Sequence, residues 1–203
     1  MPVQTLTPKG RQTRTAIEQA ARKLFAERGF HGTTLADITS AAGKSPAVFY
    51  RYYADKEDLL AALAESFLRD IVTPSGLSLH LPDSANDSEF FTSVVTGYWN
   101  MFKQNIGIMI AVAQLATTQQ RFAGVQNEFR RFGMDIVAAS VRRAQEQGHG
   151  HELDPEHTAA AIALLFENFT TVVVGRSSLG LEISDEDAIA TLSTIWKKTL
   201  YGF

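Results

Sequence analysis

With 203 residues, 45% of them hydrophobic, the chain is long enough for one large or two small domains around a sizeable core. It has no cysteine, which excludes disulfides and thiolate catalysis and fits a reducing cytoplasm. Met1 to Arg14 is polar, so no signal peptide is expected, and the longest apolar stretches, near 106–113 and 159–166, are far shorter than a membrane span. The net charge of −3 hides a division: residues 1–56 hold nine Lys/Arg against four Asp/Glu, and the remainder ten against eighteen. A head at +5 on a body at −8 points to a nucleic-acid partner for the head.

Residues 1–10 read as a flexible tail, with Lys9, Arg11 and Arg14 placed to follow a DNA backbone. A first helix is predicted over 11–28, because Ile17, Ala20, Ala21, Leu24 and Phe25 form one apolar stripe and Gly29 ends it. Residues 33–56, TTLADITSAAGKSPAVFYRYYADK, then contain two short helices and a tight turn. Thr34 and Asp37 make a capping-box pair, and Leu35, Ile38 and Ala42 share a face. Gly43 is suited to a left-handed helix end, and Ser45 with Pro46 is a start signal for a second helix over 46–53. Two short helices on a glycine turn are the pattern of a helix-turn-helix, whose second helix reads the DNA major groove. Phe49 and Tyr53 are expected in the core beneath it, and the exposed tyrosines beside Lys44, Arg51 and Lys56 suit phosphate contacts. Ser45, Ala47 and Val48 are small enough to enter a groove.

Asp55 and Asp58 mark the start of a fourth helix, with Leu59, Leu60, Leu63, Phe67 and Ile71 on its buried stripe. Lys56 at its first position opposes the helix dipole, which is explicable if a phosphate binds there. Residues 73–87, rich in Ser, Pro, Gly and Asp, read as a boundary or long connection. Helical spacing then runs to the end. It predicts helices from Ser88, over 106–117, over 119–147, from Asp154-Pro155 and from Ser184, so the fold is all-α with about nine helices.

The ERGF at the end of the first helix, TTLADITSAAG and KSPAVFYRYYADKEDLL together resemble the DNA-binding domain of the tetracycline-repressor (TetR) family over residues 13–63. Tyr52 departs from a position where the family often has histidine, and tyrosine still donates to phosphate. The resemblance implies a DNA-binding domain over 1–55 and a ligand-binding and dimerisation domain over 56–203. The residues expected at DNA are Thr34, Lys44, Ser45, Pro46, Ala47, Val48, Tyr50, Arg51, Tyr52 and Lys56. The implied protein is a cytoplasmic homodimeric regulator, usually a repressor, on a palindromic operator, without cofactor, metal or membrane partner. Its last two helices would pair with their two-fold mates through Phe169, Val173, Leu192, Ile195 and Trp196. A pocket for a largely apolar or aromatic effector would be lined by Tyr98, Trp99, Phe102, Met109, Phe122, Phe129, Phe132 and Phe166. Gln104, Gln114 and Asn168 would orient the ligand.

Two other readings are open to the sequence. An enzyme would need a nucleophile, phosphate loop or metal set, and His149, His151 and His157 lack the acid or cysteine that completes a known spacing. A protein-binding helix-turn-helix would not need the +5 head.

Overall fold

The computed structural model describes residues 7–72, 81–175 and 180–202. Among them are nine helices and no strand: α1 Pro8–Arg28, α2 Leu35–Ala41, α3 Pro46–Phe49, α4 Lys56–Val72, α5 Ser88–Gln104, α6 Ile106–Ala116, α7 Gln120–Glu146, α8 Pro155–Val174 and α9 Asp185–Tyr201. The all-α expectation holds. Residues 1–6 of the expected tail and 73–80 of the expected connection lie outside the described residues, as does the side chain of Ile71. The chain divides into two compact units. One runs through Phe67 and takes in Gly107–Val125; the other comprises Leu68–Ile106 and Gln126–Phe203.

The first unit is built on the α1 stripe. α1 starts earlier than the apolar spacing implied, at Pro8, because the Thr7 hydroxyl accepts from Gly10 N at 3.2 Å and Pro8 loses nothing at the first turn. Ile17, Ala21, Leu24 and Phe25 are buried with Ile38 of α2, Phe49 of α3, Leu59, Leu60 and Leu63 of α4, and Ile108, Ala111 and Val112 of α6. Gly107 brings α6 close against α1: a Cβ there would lie 2.5 Å from Ala26 N and from the Phe25 carbonyl carbon. Only glycine lets the start of α6 lie against the backbone of α1.

In the second unit α5 packs on α9. The rings of Phe90 and Phe91 lie 5.6 and 5.1 Å from that of Trp196, whose indole N–H donates to Ser140 Oγ of α7 at 3.1 Å. Trp99 Nε1 and Lys103 Nζ both donate to Asp185, at 3.1 and 2.5 Å, joining the C-terminal part of α5 to the first residue of α9. Gln145 Nε2 donates to the carbonyls of Gly150 and Leu153 and closes the α7–α8 loop.

Candidate nucleic-acid interface

The α2–α3 stretch is assembled by local hydrogen bonds that its sequence dictates. The Thr34 backbone N–H donates to Asp37 Oδ2 at 2.8 Å, and Asp37 N donates to Thr34 Oγ1 at 3.1 Å, a complete capping box. These bonds, the Thr34 hydroxyl first, hold the Asp37 carboxyl below the ordinary aspartate range. Gly43 turns the chain at φ 62°, and Lys44 N donates back to Thr39 O at 2.9 Å. Ser45 is the N-cap residue of α3, but its hydroxyl makes no capping bond and stays on the surface.

The regular part of α3 is four residues long, shorter than the 46–53 that spacing suggested. It tightens after Phe49: Arg51 N donates to Val48 O and Tyr52 N to Phe49 O, both three residues back. A helix this short has no stability of its own. It is held from beneath by Phe49 and Tyr53, 0% and 4% exposed. Tyr53 Oη donates to Glu18 Oε1 at 2.6 Å, and Arg14 Nε donates to the same carboxylate at 2.7 Å and to Tyr53 Oη at 3.2 Å. Burial, with Glu18 beside it, pushes the Tyr53 phenol well above its ordinary value, so it stays a donor. Arg14, expected to track a DNA backbone, is committed here to joining α1 to the end of α3.

Above that anchor α3 presents a bare face. Tyr50 is 60% exposed, and Ser45, Pro46, Ala47 and Arg51 are also exposed. Lys44, Val48 and Tyr52 are partly exposed, and Thr34 stands exposed at the start of α2 with its hydroxyl committed to the capping box. Lys56 behaves differently. Its ammonium donates to the carbonyls of Phe30 and Thr33, both at 2.7 Å, and lies 4.2 Å from the centre of the Phe30 ring. Desolvation lowers its pKa. The residue that spacing marked as a phosphate anchor is thus spent on the α1–α2 turn, while α4 itself is capped by Asp55, which accepts from Asp58 N at 2.7 Å.

The family described as "Bacterial regulatory proteins, tetR family" matches residues 17–63, the stretch that holds this geometry. The HTH-type transcriptional repressor AcnR of Corynebacterium glutamicum is 35% identical over 72 residues, 34% of this chain and 38% of that protein. The HTH-type transcriptional regulator UidR of Escherichia coli is 27% identical over 162 residues, 78% of each chain. A crystal structure of a tetR-family regulatory protein from Rhodococcus RHA1 superposes with a TM-score of 0.70 at 22% identity, over 93% of this chain and 97% of that one. Residues 17–63 thus match the DNA-binding domain of the TetR regulators, and the chain as a whole shares their fold.

In the regulator's second unit, Trp99, Phe102, Phe129 and Phe166 are buried, and Tyr98 and Phe132 half-buried. Phe122 and Met109 belong to the other unit, where Phe122 joins its core. The eight expected pocket residues are therefore divided between the units. Gln104, Gln114 and Asn168 are exposed, so the polar groups that sequence reading singled out lie on the surface. A half-buried polar set lies elsewhere: Glu167 of α8 accepts from Arg130 Nε at 2.6 Å and Nη2 at 3.0 Å and from Gln126 Nε2 at 2.8 Å, both from α7. Nothing in the sequence marked that set, since its members lie 37 and 41 residues apart.

Two of the expected dimer contacts are corrected. Leu192 and Trp196 are 0% and 1% exposed, because that face of α9 packs on α5. Phe169 and Val173 are half-buried, and Ile195 is 38% exposed. Sequence reading missed Leu164 and Leu165, 48% and 40% exposed, which with Ala161 and Asn168 form an outward stripe on α8. The expectation about apolar length is corrected as well: α8 is long and apolar enough, by length and composition, to cross a membrane. Counting unbroken apolar runs missed it, because Thr158, Glu167 and Asn168 punctuate the helix.

Proposed function

We propose that the protein is a cytoplasmic homodimeric repressor that leaves a palindromic operator when a small, largely apolar or aromatic effector binds its second unit. It acts by binding, not by catalysis. The observation that carries the reading is the α3 face: small residues and an exposed Tyr50 on a helix locked from beneath by Phe49 and Tyr53. Lys44, Ser45, Arg51 and Tyr52 flank that face as phosphate contacts, and Pro46, Ala47 and Val48 are its groove-facing part. Thr34 and Lys56 serve the same interface by fixing the ends of α2 and α4.

The apolar stripe on α8 supports self-association better than a membrane, since Ile195 on α9 is exposed as well and a two-fold copy would bury the same residues on both sides. DNA binding belongs in this reading to residues 1–55, and effector binding and dimerisation to 56–203. α4 contributes residues to both compact units and is the natural lever between them. The effector must bind the DNA-incompetent arrangement better than the competent one, and by reciprocity operator DNA must weaken effector binding by the same factor.

The test is release. A duplex recovered by the protein from random DNA is titrated at several salt concentrations, with and without a library of small aromatic compounds. The reading expects affinity to fall with salt and a subset of compounds to weaken the complex. Salt-independent binding, or a complex no compound shifts, contradicts it.

A further inference from the structure

Two buried hydroxyls in the second unit make no hydrogen bond to the rest of the fold. Thr170 on α8 is 0% exposed, and its Oγ1 has no hydrogen-bond partner; Tyr98 Oη on α5 is likewise buried and unpartnered. Among the described residues no other buried side-chain oxygen or nitrogen is in this condition. The fold has an ordinary solution for a hydroxyl on a helix, and it uses that solution nearby. Thr171, Ser140 and Ser193 each donate to a carbonyl three or four residues back, at 2.7 Å in every case. Thr170 does not. A buried polar group without a partner is costly, and natural folds keep few of them unless something else supplies the bond.

The two hydroxyls are neighbours. Burial raises the Tyr98 pKa, and the Thr170 hydroxyl, placed to donate to the phenol oxygen, partly offsets the rise, so the phenol stays protonated at neutral pH. Their surroundings are aromatic: the rings of Phe102 and Phe166 lie 5.8 and 5.7 Å from that of Tyr98. The nearby charge is negative but already paired. Glu167 adds to the rise at Tyr98, and its carboxylate is occupied by Arg130 and Gln126. A second anion beside Glu167 is disfavoured, and a cation would have to displace a bidentate arginine.

We infer that the Tyr98 and Thr170 hydroxyls are the polar end of the effector site, and that they donate together to one neutral carbonyl oxygen, of a ketone, ester or amide, carried on an apolar or aromatic body. A carbonyl oxygen has two lone pairs and satisfies both donors at once. The inference rests on the reading above that a small molecule regulates this protein.

The full-length protein is titrated by calorimetry with aromatic ketones, esters and amides, led by 4-phenylbutan-2-one, each beside its hydrocarbon and carboxylate analogues (butylbenzene and 3-phenylpropanoate for that ketone). The carbonyl compounds bind about tenfold or more tighter than either analogue. The double variant Tyr98→Phe with Thr170→Val loses that preference. Its melting temperature stays close to the unmodified protein's, because the pair makes no hydrogen bond to the rest of the fold. Tightest binding by the hydrocarbons or carboxylates, no binding of any carbonyl compound, or a preference that survives in the double variant overturns the inference. So does a melting temperature several degrees lower, which would make the hydroxyls part of the protein's own network. Operator binding by the same unmodified preparation separates the two levels. Failed probes with intact operator binding remove the ligand chemistry alone, and absent operator binding removes the regulator reading itself.

Discussion

The ammonium of Lys56 donates to the carbonyl of Thr33 across 2.7 Å, tying the first residue of α4 to the entry of α2. Its second bond, to Phe30, closes the turn that follows α1. Lys56→Ala is therefore expected to cost about 1–3 kcal/mol of stability, the range for hydrogen bonds to a charged group, and to weaken operator binding as α2 loses its register. Chemical denaturation of the variant checks it. Full stability with lost DNA affinity would return Lys56 to the role of a free phosphate contact.

Tyr50 and Tyr53 are three residues apart and should behave oppositely. Tyr50→Ala removes an exposed ring and should leave stability within about 0.5 kcal/mol while reducing operator affinity. Tyr53→Phe keeps the ring but breaks the bond to Glu18, and should cost about 1–2 kcal/mol. Melting curves and operator titrations on both variants separate the reading surface from its support. Unfolding by Tyr50→Ala would place that ring in the core.

The capping box predicts a pH dependence of definite sign. The Asp37 carboxyl is held below its ordinary value in the folded chain, so its contribution is fully present above the ordinary aspartate range. That contribution disappears as pH falls through the lowered value. Asp37→Asn should thus be less stable than the unmodified protein at neutral pH, and the difference should close under acid. Urea unfolding at a series of pH values measures it, and a difference that widens toward low pH would contradict the assignment.

Gly107→Ala should destabilise the first unit by about 1–3 kcal/mol, because the added carbon meets the α1 backbone at Phe25 and Ala26 rather than a side chain that can move. Thermal unfolding tests it. An unchanged melting temperature would mean that α6 withdraws from α1 at no cost.

The α8 stripe makes a prediction about assembly. Leu164→Glu with Leu165→Glu should yield a folded monomer with weakened operator binding, read by sedimentation and DNA titration. A dimer that persists would move the interface elsewhere.

What the sequence could reveal followed distance along the chain. The Thr34–Asp37 box, the Gly43 turn and the Pro46 start are written within a few residues of one another, and each appears as read. The Arg14–Glu18–Tyr53 set is different. Its first pair has visible helical spacing, but nothing local says that a tyrosine 35 residues after Glu18 completes it. The bonds of Lys56 were hidden for the same reason: its partners lie 23 and 26 residues back. On α9 the apolar residues were legible, but spacing alone does not say which of two apolar faces turns inward. Packing against α5 takes Leu192 and Trp196 and leaves Ile195 outside.

The most direct measurement is selection of bound duplexes from random DNA by the purified protein, followed by the same selection with Tyr50→Ala. The account predicts enrichment of a palindrome with half-sites about one helical turn apart, roughly 34–36 Å or somewhat more, and its loss in the variant. No enriched sequence, or a palindrome that the variant recovers equally well, would contradict the claim that α3 reads DNA.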